Sequence, residues 1–568
     1  MCLPRPRAAL TGLGPKAPTD ITIASMARSL ILSLLFCLLG LTIGPVKAMS
    51  SLDPGLQGAV PAADPAAPGQ VSGDTGLAGL VPEQHDQAPS GTPGAAPDQK
   101  DPGKTHATEG SSEHHKWTGV PLWAVLPFVV MLLCIAIIPL INEHWWENNR
   151  NRGAVCALLG IPVLIYTWSV APSPGHVIWH TVEEYLAFIA LLGSLFIISG
   201  GVVITGNLIG KPKVNTSFLF IGGVMASFIG TTGAAMLLIR PLLKTNSERR
   251  HKLHTVIFFI FIVCNCGGCL TPLGDPPLFL GYLKGVPFTW TFGLWPEWLF
   301  VCGSLLVIYF VFDVIQYRRE EKLDVRKDIE HERPLVIRGG HNFLFLGGVV
   351  AAVAFSMPFG PREGVMLLMV LLAWKTTRPQ YRHQNEFNFA PILEVVVVFS
   401  GIFATMIPAL ALLNDQGASL GVDTSFKFYW ATGTLSSFLD NAPTYVSFLE
   451  MAGGITDWEP HLREHALAFT QGHAILGPHV TWDMAVAEAA KWPAKASVYI
   501  IPDHILKSVS LGAVFMGAMT YIGNGPNFMV RAIAQGSGIK MPSFFGYMGW
   551  SVLFLLPVLF AQVLLFLL

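Results

Sequence analysis

The stretch Thr271–Pro277 reads TPLGDPP and interrupts a long apolar run with glycine and proline. A related stretch, Thr520–Pro526, reads TYIGNGP and interrupts another apolar run in the second half of the chain. The offset between the two is 249 residues (520 − 271). Glycine and proline at matching points of two apolar segments indicate discontinuous helices that line a site at membrane depth. The pair therefore predicts a fold made of two related halves.

Further echoes occur at a second, shorter offset. Glu184 and Glu394 each open an apolar run, and a Ser-Phe pair at 227–228 recurs at 437–438. Both spacings equal 210 residues (394 − 184 and 437 − 227). The difference between the longer and the shorter offset (249 − 210 = 39) predicts an insertion of 39 residues in the second half, within about 450–495.

The composition is that of a membrane protein. The chain has 568 residues, of which 52% are hydrophobic and 13% charged, and its mean hydropathy is +0.50. A soluble protein carries about a quarter charged residues, and several apolar runs here reach the roughly 20 residues that cross a bilayer. The formal net charge of −1 says nothing about nucleic acid, and no basic stripe with interleaved aromatic residues argues for it, so nucleic acid is not an expected partner. Membrane lipid is the expected surrounding.

Three regions are expected along the chain. Residues 1–48 read as a signal peptide, with Met26 as an alternative start; an uncleaved anchor helix is the competing interpretation. Residues 49–115, rich in Pro, Ala and Gly and without Phe, Trp or Tyr, are expected to form a disordered periplasmic tail. Residues 116–568 form the membrane domain, with repeat one at 181–315, linker helices at 342–374 and repeat two at 391–568.

The expected fold is an all-α polytopic membrane protein with about ten transmembrane helices and two re-entrant hairpins. Predicted spans cover 119–141, 153–171, 181–205, 254–283, 289–315, 342–359, 362–374, 391–413, 497–532 and 543–568. The stretches 216–243 and 426–448 carry small or helix-disrupting residues at their centres and are predicted to be the hairpins. If the first is re-entrant, the basic loops all fall on one side, which the positive-inside rule makes cytoplasmic. The two repeats then have inverted topology.

Two acidic residues lie at predicted membrane depth, Asp275 in the first broken helix and Asp440 in the second hairpin. Such residues are expensive in a membrane, and ion or proton handling is the default hypothesis. The alternative for Asp440 is a helix cap that bonds backbone amides. Oxygen ligands of the kind that Na⁺ prefers surround them, and the candidate site comprises Thr231, Thr232, Thr271, Gly274, Asp275, Pro276, Asp440, Asn441, Thr520, Gly523, Asn524 and Asn527.

The duplicated acids Glu184 and Glu394 have two possible interpretations. A shared role, in which each pairs with a basic residue on a neighbouring helix, competes with a solvated helix end, which is favoured for Glu394. Three cysteines, Cys264, Cys266 and Cys269, suggest a soft-metal site, but small-residue packing in an apolar segment is the favoured interpretation. No resident cofactor is expected.

At these motifs the chain resembles the ion transporter superfamily, which groups NhaD-type sodium/proton antiporters, citrate transporters and divalent anion/sodium symporters. The resemblance covers roughly residues 119–568. It implies paired inverted repeats, each with a hairpin and a broken helix, in a homodimer with elevator-like motion. The Ser-Asn-Thr signature of the divalent-anion symporters is absent, because the hairpin tips read Gly-Thr-Thr at 230–232 and Asp-Asn-Ala at 440–442.

The sequence thus predicts a secondary transporter of the bacterial inner membrane that exchanges Na⁺ or Li⁺ for H⁺ by alternating access, with its N-terminal tail in the periplasm. Asp275 and Asp440 are expected to carry the exchanged ion. The alternative is a sodium- or proton-coupled symporter for citrate or a related carboxylate. No Ser/His dyad or paired catalytic carboxylates stand out at membrane depth, so the chain is not expected to be an enzyme.

Overall fold

The computed structural model describes residues 117–320, 333–455 and 501–568. The predicted signal region (1–48), the predicted tail (49–115) and most of the predicted insertion (450–495) lie outside the described residues.

The first half of the described chain is almost entirely helical. Its helices and single strand are α1 (Leu126–Ile141), α2 (Glu143–Trp146), α3 (Asn149–Val170), α4 (Pro174–Ser199), β1 (Val203–Asn207), α5 (Pro212–Ile229), α6 (Thr231–Thr245), α7 (Leu253–Ile262), α8 (Pro276–Leu283) and α9 (Trp295–Tyr317). Short 3₁₀ turns precede α1, follow α7 and precede α9. Proline stands in the first turn of α4, α5 and α8, where its missing N–H costs no hydrogen bond.

The second half begins with strand β2 and continues as helices. These elements are β2 (Arg333–Arg338), α10 (Asn342–Ala354), α11 (Pro361–Thr376), α12 (Pro379–Gln384), α13 (Ala390–Gln416), α14 (Ser425–Phe438), α15 (Asn441–Gly453), α16 (Asp503–Met516), α17 (Gly525–Gly536), α18 (Phe544–Trp550) and α19 (Leu556–Phe566). A turn of π-helix joins α18 to α19.

Helix bounds recur at the two offsets found in the sequence. The starts of α6 and α15, at Thr231 and Asn441, are separated by the shorter offset. The starts of α8 and α17, at Pro276 and Gly525, are separated by the longer offset. The segment α18–α19 follows α9 at the longer offset and has the same length. The order hairpin, broken helix, long helix is therefore present twice.

The first helical hairpin begins and ends at one face of the domain. The second begins and ends at the opposite face. In the first, Asn215 at the start of α5 and Asn246 after α6 exchange side-chain hydrogen bonds (2.9 and 2.8 Å). Arg249 nearby lies 2.6 Å from Asp313, close to the end of α9. We call this end, which carries the basic loops, the basic face. The arm α15 of the second hairpin ends beside Asn414, near the end of α13, at the opposite face.

The broken helices are held open in the same way in both halves. After α7 the chain forms a 3₁₀ turn and unwinds until α8 begins, and the segment between α16 and α17 does likewise. The Thr271 hydroxyl donates to the carbonyl of Ser227 in the first half, and the Thr520 hydroxyl donates to the carbonyl of Ser437 in the second. Each unwound segment is thereby fastened to the tip of its hairpin.

Six helical segments of the described residues are long and apolar enough to cross a membrane. They cover 122–139, 149–170, 174–199, 288–317, 390–420 and 544–566. Four predicted spans are absent from this set. Spans 254–283 and 497–532 are each divided into shorter helices, and spans 342–359 and 362–374 form the 13-residue helix α10 and the 16-residue helix α11. One element was not predicted: β1 and β2 pair antiparallel in a two-stranded ribbon, with Val203 opposite Arg338.

Candidate functional site

Asp275 is the centre of a buried polar cluster built from both halves. The residue is 2% exposed. Oδ1 accepts hydrogen bonds from Thr231 Oγ1 (3.0 Å) and Asn524 Nδ2 (3.1 Å), and Oδ2 accepts one from Asn441 Nδ2 (2.6 Å). These donors belong to the first hairpin, the second broken helix and the second hairpin. Asp275 and its three donors were all proposed from sequence, and the structure brings the four residues together.

Four helices begin at this cluster. Asp275 and Asn524 are the N-cap residues of α8 and α17, and both have extended backbone conformations. Thr231 and Asn441 are the first helical residues of α6 and α15. Helix N-termini carry partial positive charge and unsatisfied N–H groups. The arrangement therefore directs four partially positive helix ends at the position of Asp275.

Amide side chains tie the two broken helices together. Asn524 Nδ2 lies 3.2 Å from Asn265 Oδ1, and Asn265 Nδ2 donates to Asn527 Oδ1 over 2.7 Å. Asn527 in turn donates to the carbonyls of Gly517 (2.9 Å) and Thr520 (3.0 Å). The carbonyls freed by the unwound helix are therefore partly satisfied by Asn527, and the amide chain fixes the position of Asn524 against Asp275.

The second hairpin tip presents one acceptor without a hydrogen bond. Asn441 Oδ1 is buried and has no partner among the described residues, although its Nδ2 donates to Asp275. Asp440 is half-buried and accepts a hydrogen bond from the backbone N–H of Ala442 (3.0 Å), so it caps α15. Both an unsatisfied amide oxygen and a second carboxylate therefore lie within the same tip.

Glycine is required where the 3₁₀ turn meets the unwound segment. A Cβ at Gly274 would overlap the carbonyl of Gly268, and a Cβ at Gly523 would approach the carbonyl of Gly517. The Gly274 carbonyl accepts a hydrogen bond from the backbone N–H of Thr231 (2.8 Å). These close approaches bring the backbone of the broken helix to the hairpin tip and so set the position of Asp275.

Among the described contacts, the remaining residues proposed from sequence form no hydrogen bond with the Asp275 carboxylate. The hydroxyls of Thr271 and Thr520 donate to hairpin carbonyls at the helix breaks. Pro276 forms the first turn of α8. Thr232 is half-buried next to Thr231 on α6.

The duplicated acids both form ion pairs away from the cluster. Glu184 is the eleventh residue of α4, which begins at Pro174. The prediction that Glu184 begins a membrane span was therefore wrong. Glu184 is 8% exposed, and Lys284 Nζ lies 3.1 Å from its Oε1. Glu394, for which a solvated helix end was the favoured prediction, is the fifth residue of α13. Its side chain is 45% exposed and is paired with Arg152 Nη2 at 2.8 Å. Both acids therefore bind a basic residue on another segment.

Sequence reasoning missed two groups of residues. Asn265 was not proposed for the site, because valine stands at its equivalent position, 514, and the repeat did not mark it. Lys284 and Glu450 were not singled out either. Arg240 and Glu450 are separated by the shorter offset and carry opposite charges. A search for charge at equivalent positions, rather than identity, could have found that pair.

Comparison with known proteins identifies a family for nearly the whole described chain. The family model CitMHS_2, described as "Putative citrate transport", matches residues 117–567. No curated protein matched the chain. The match begins where the described residues begin, and it includes both hairpins and both broken helices. The chain belongs to this citrate-transport family and is an integral membrane protein of the secondary-transporter type.

Proposed function

We propose that the protein exchanges Na⁺ or Li⁺ for H⁺ by alternating access, and that Asp275 binds the cation and the proton in turn. The observation that carries this proposal is the chemistry around Asp275. Its three hydrogen-bond donors in the described residues are a hydroxyl and two amides, all neutral. A buried carboxylate without a cationic partner is stabilised by taking up a proton or a metal cation.

The neutral shell suits both states of the carboxylate. An asparagine side chain carries two N–H donors and a carbonyl acceptor, and a threonine hydroxyl can donate or accept. With their donors turned inward, Asn441, Asn524 and Thr231 stabilise the bare carboxylate. With their oxygens turned inward, the same three residues supply ligands for a hard cation. The buried Oδ1 of Asn441, which has no partner among the described residues, is already an acceptor of this kind.

Membrane placement follows from the same proposal. The helical hairpins α5–α6 and α14–α15 are re-entrant from opposite sides, so that their tips meet Asp275 near the midplane. The basic face is cytoplasmic by the positive-inside rule. Asp440 is a second ion-handling carboxylate in addition to its capping role, because it is half-buried at the tip next to Asn441.

A second candidate, coupled symport of citrate or a related carboxylate, is favoured by the description of the matching family. Four helix N-termini at one point also suit an anion. Its weakness is Asp275, which repels an anionic substrate unless a proton or cation neutralises it. None of the described ion pairs brings an Arg or Lys to Asp275, and such a residue would strengthen the binding of a carboxylate substrate.

The test is transport by the full-length protein in proteoliposomes that contain a pH-sensitive dye. Pulses of Na⁺, Li⁺, K⁺ or citrate are applied separately. Proton movement on Na⁺ or Li⁺ alone, lost in Asp275→Asn and retained in Asp423→Asn, is the expected result. Asp423 is the matched control because it is an exposed aspartate that pairs with Lys427. If no cation pulse changes the dye signal, and citrate is taken up only when Na⁺ is also present, the protein is a symporter and not an exchanger.

A further inference from the structure

The returning arms of the two hairpins carry opposite charges at equivalent positions. Arg240 on α6 and Glu450 on α15 are separated by the shorter offset, and each lies nine positions after the first residue of its helix. Each forms an ion pair, but the two links differ in exposure. Because the two arms end at opposite faces of the domain, the two links lie at opposite faces as well.

At the opposite face the link is a buried bridge of three charged residues. Lys284 Nζ lies 3.1 Å from Glu184 Oε1 and 3.2 Å from Glu450 Oε1. The side chains of Lys284, Glu184 and Glu450 are 11%, 9% and 5% exposed. Glu184 belongs to α4, Lys284 follows α8 directly, and Glu450 belongs to α15. The bridge therefore fastens α4 to two of the four helices that begin at Asp275.

At the basic face the equivalent link is open to solvent. Arg240 Nη2 lies 2.9 Å from Glu386 Oε2, and the two side chains are 26% and 75% exposed. Glu386 precedes α13, which is the counterpart of α4 in the second half. Exposed ion pairs contribute little to stability because water screens them, so this link holds the two parts together only weakly.

The half-helices that leave the site differ in the same sense. Phe279 on α8 is 1% exposed, whereas its equivalent on α17, Phe528, is 36% exposed. Ala532 on α17 is exposed, whereas its equivalent, Leu283, is half-buried. The exposed side of α17 starts at Gly525, the residue after Asn524, which donates to Asp275. The half-helix that leads from the cluster to the opposite face is therefore packed within protein. The equivalent half-helix towards the basic face has an exposed side, although the residues of the cluster itself are buried.

We propose that this is the state open to the basic face, and that the Glu184–Lys284–Glu450 bridge is the gate that keeps the opposite face closed. The proposal rests on the alternating access proposed above, but not on which ion is carried. Opening the opposite face requires α8 and α15 to separate from α4, and this breaks the contact between Lys284 and Glu184. Because breaking a buried ion pair leaves uncompensated charge, the bridge favours the closed arrangement.

The bridge is built so that two similar substitutions differ in effect. Glu184 is the member on α4, so Glu184→Gln weakens the link across the gate and leaves the Lys284–Glu450 pair in place. Glu450→Gln removes a carboxylate of similar burial but leaves the Lys284–Glu184 link intact. A residue that only stabilised the fold would give comparable effects in both variants, whereas a gate responds far more to Glu184→Gln.

The experiment measures access with cysteine reporters at the equivalent positions Leu283→Cys and Ala532→Cys. A membrane-impermeant maleimide is added to either side of sealed vesicles that contain the full-length protein. The described native cysteines are buried or half-buried, and the labelling of the parent protein is subtracted. Ala532→Cys is expected to label rapidly from the basic face and Leu283→Cys slowly from the opposite face. Adding Glu184→Gln is expected to raise the Leu283→Cys rate about tenfold, the ratio for about 1.4 kcal/mol, and to lower the Ala532→Cys rate.

The controls separate the gate from instability and from the transport chemistry. Lys284→Gln should act like Glu184→Gln, whereas Glu450→Gln and Lys507→Gln, which alters a partly exposed pair with Asp503, should act weakly. The proposal is overturned if a Glu184→Gln protein with an unchanged elution profile labels at Leu283→Cys as the parent does, or if both reporters label from the same side. Labelling does not require the cation to be identified, so this experiment tests the gate independently of Na⁺/H⁺ exchange.

Discussion

Asn441 donates its side-chain N–H to Oδ2 of Asp275 over 2.6 Å, which joins the hairpin of the second half to the broken helix of the first. Neither half alone holds the complete cluster. The amide oxygen of the same residue is buried without a partner among the described residues. Asn441 therefore both fixes the carboxylate and offers an unused acceptor beside it.

Asn441→Ala tests this double role. The substitution removes a donor to a buried carboxylate and a candidate oxygen ligand, and each loss costs about 1–3 kcal/mol. We expect the Na⁺ concentration for half-maximal proton movement to rise at least about tenfold. Asn388→Ala is the control, because Asn388 is exposed and accepts a hydrogen bond from the nearby backbone N–H of Ala390. An unchanged Na⁺ dependence in Asn441→Ala would exclude the residue from the ion site.

The two roles of Asp440 can be separated by size-matched substitution. Asparagine caps helices about as well as aspartate, whereas alanine costs about 1 kcal/mol. Asp440→Asn is therefore expected to retain the thermal stability of the protein and to lose most of its cation-driven proton movement. Asp440→Ala should lose both. If transport is retained in Asp440→Asn and lost only in Asp440→Ala, Asp440 caps α15 and does not handle ions.

The glycine contacts of the helix breaks predict a severe packing defect. In Gly523→Ala the new Cβ would meet the carbonyls of Gly517 and Ser436, so the unwound segment has to shift away from the hairpin tip. We expect loss of transport and a lower melting temperature. Gly303→Ala, at a position of α9 where a Cβ meets nothing within 4 Å, should be neutral or slightly stabilising. Equal melting temperatures for the two variants would contradict this account of the break.

The repeat made much of this site predictable. Asp275, Asn524, Thr231 and Asn441 lie at the matched helix breaks and hairpin tips, where small residues and proline interrupt apolar runs. Such interruptions leave a strong sequence signal because apolar helices seldom tolerate them. Asn265 and Lys284 leave no such signal: each acts through a partner distant in sequence, and their equivalents in the other half are apolar. Which partner a charged residue contacts depends on helix packing, which periodicity does not encode.

A buried charge network near the basic face predicts where the fold is most sensitive. Asp313 is fully buried and lies 2.6 Å from Arg249 and 2.8 Å from His254, and it also accepts hydrogen bonds from Asn215 and Tyr309. Asp313→Asn removes the nearer of the two buried carboxylates that face Arg249, whose Nε lies 3.7 Å from Glu320 Oε1. Breaking a buried ion pair costs up to about 3–5 kcal/mol. We expect a lower melting temperature and reduced yield of folded protein. Asp423→Asn, which breaks an exposed pair, should change the stability by about 1 kcal/mol or less; equal losses in both would refute the assignment.

Asp275 has asparagine, not aspartate, at its equivalent position in the second half, and the nitrogen of Asn524 lies 3.1 Å from Asp275 Oδ1. Two identical copies of one half would place two carboxylates at this separation, where like charges cannot both be ionised. A duplicated segment could keep its hairpins, its breaks and its glycines in both copies, but it could keep this aspartate in both only if one of the two carboxylates stayed protonated. The replacement of one oxygen by nitrogen therefore lets two copies of one structural plan close around a single shared carboxylate.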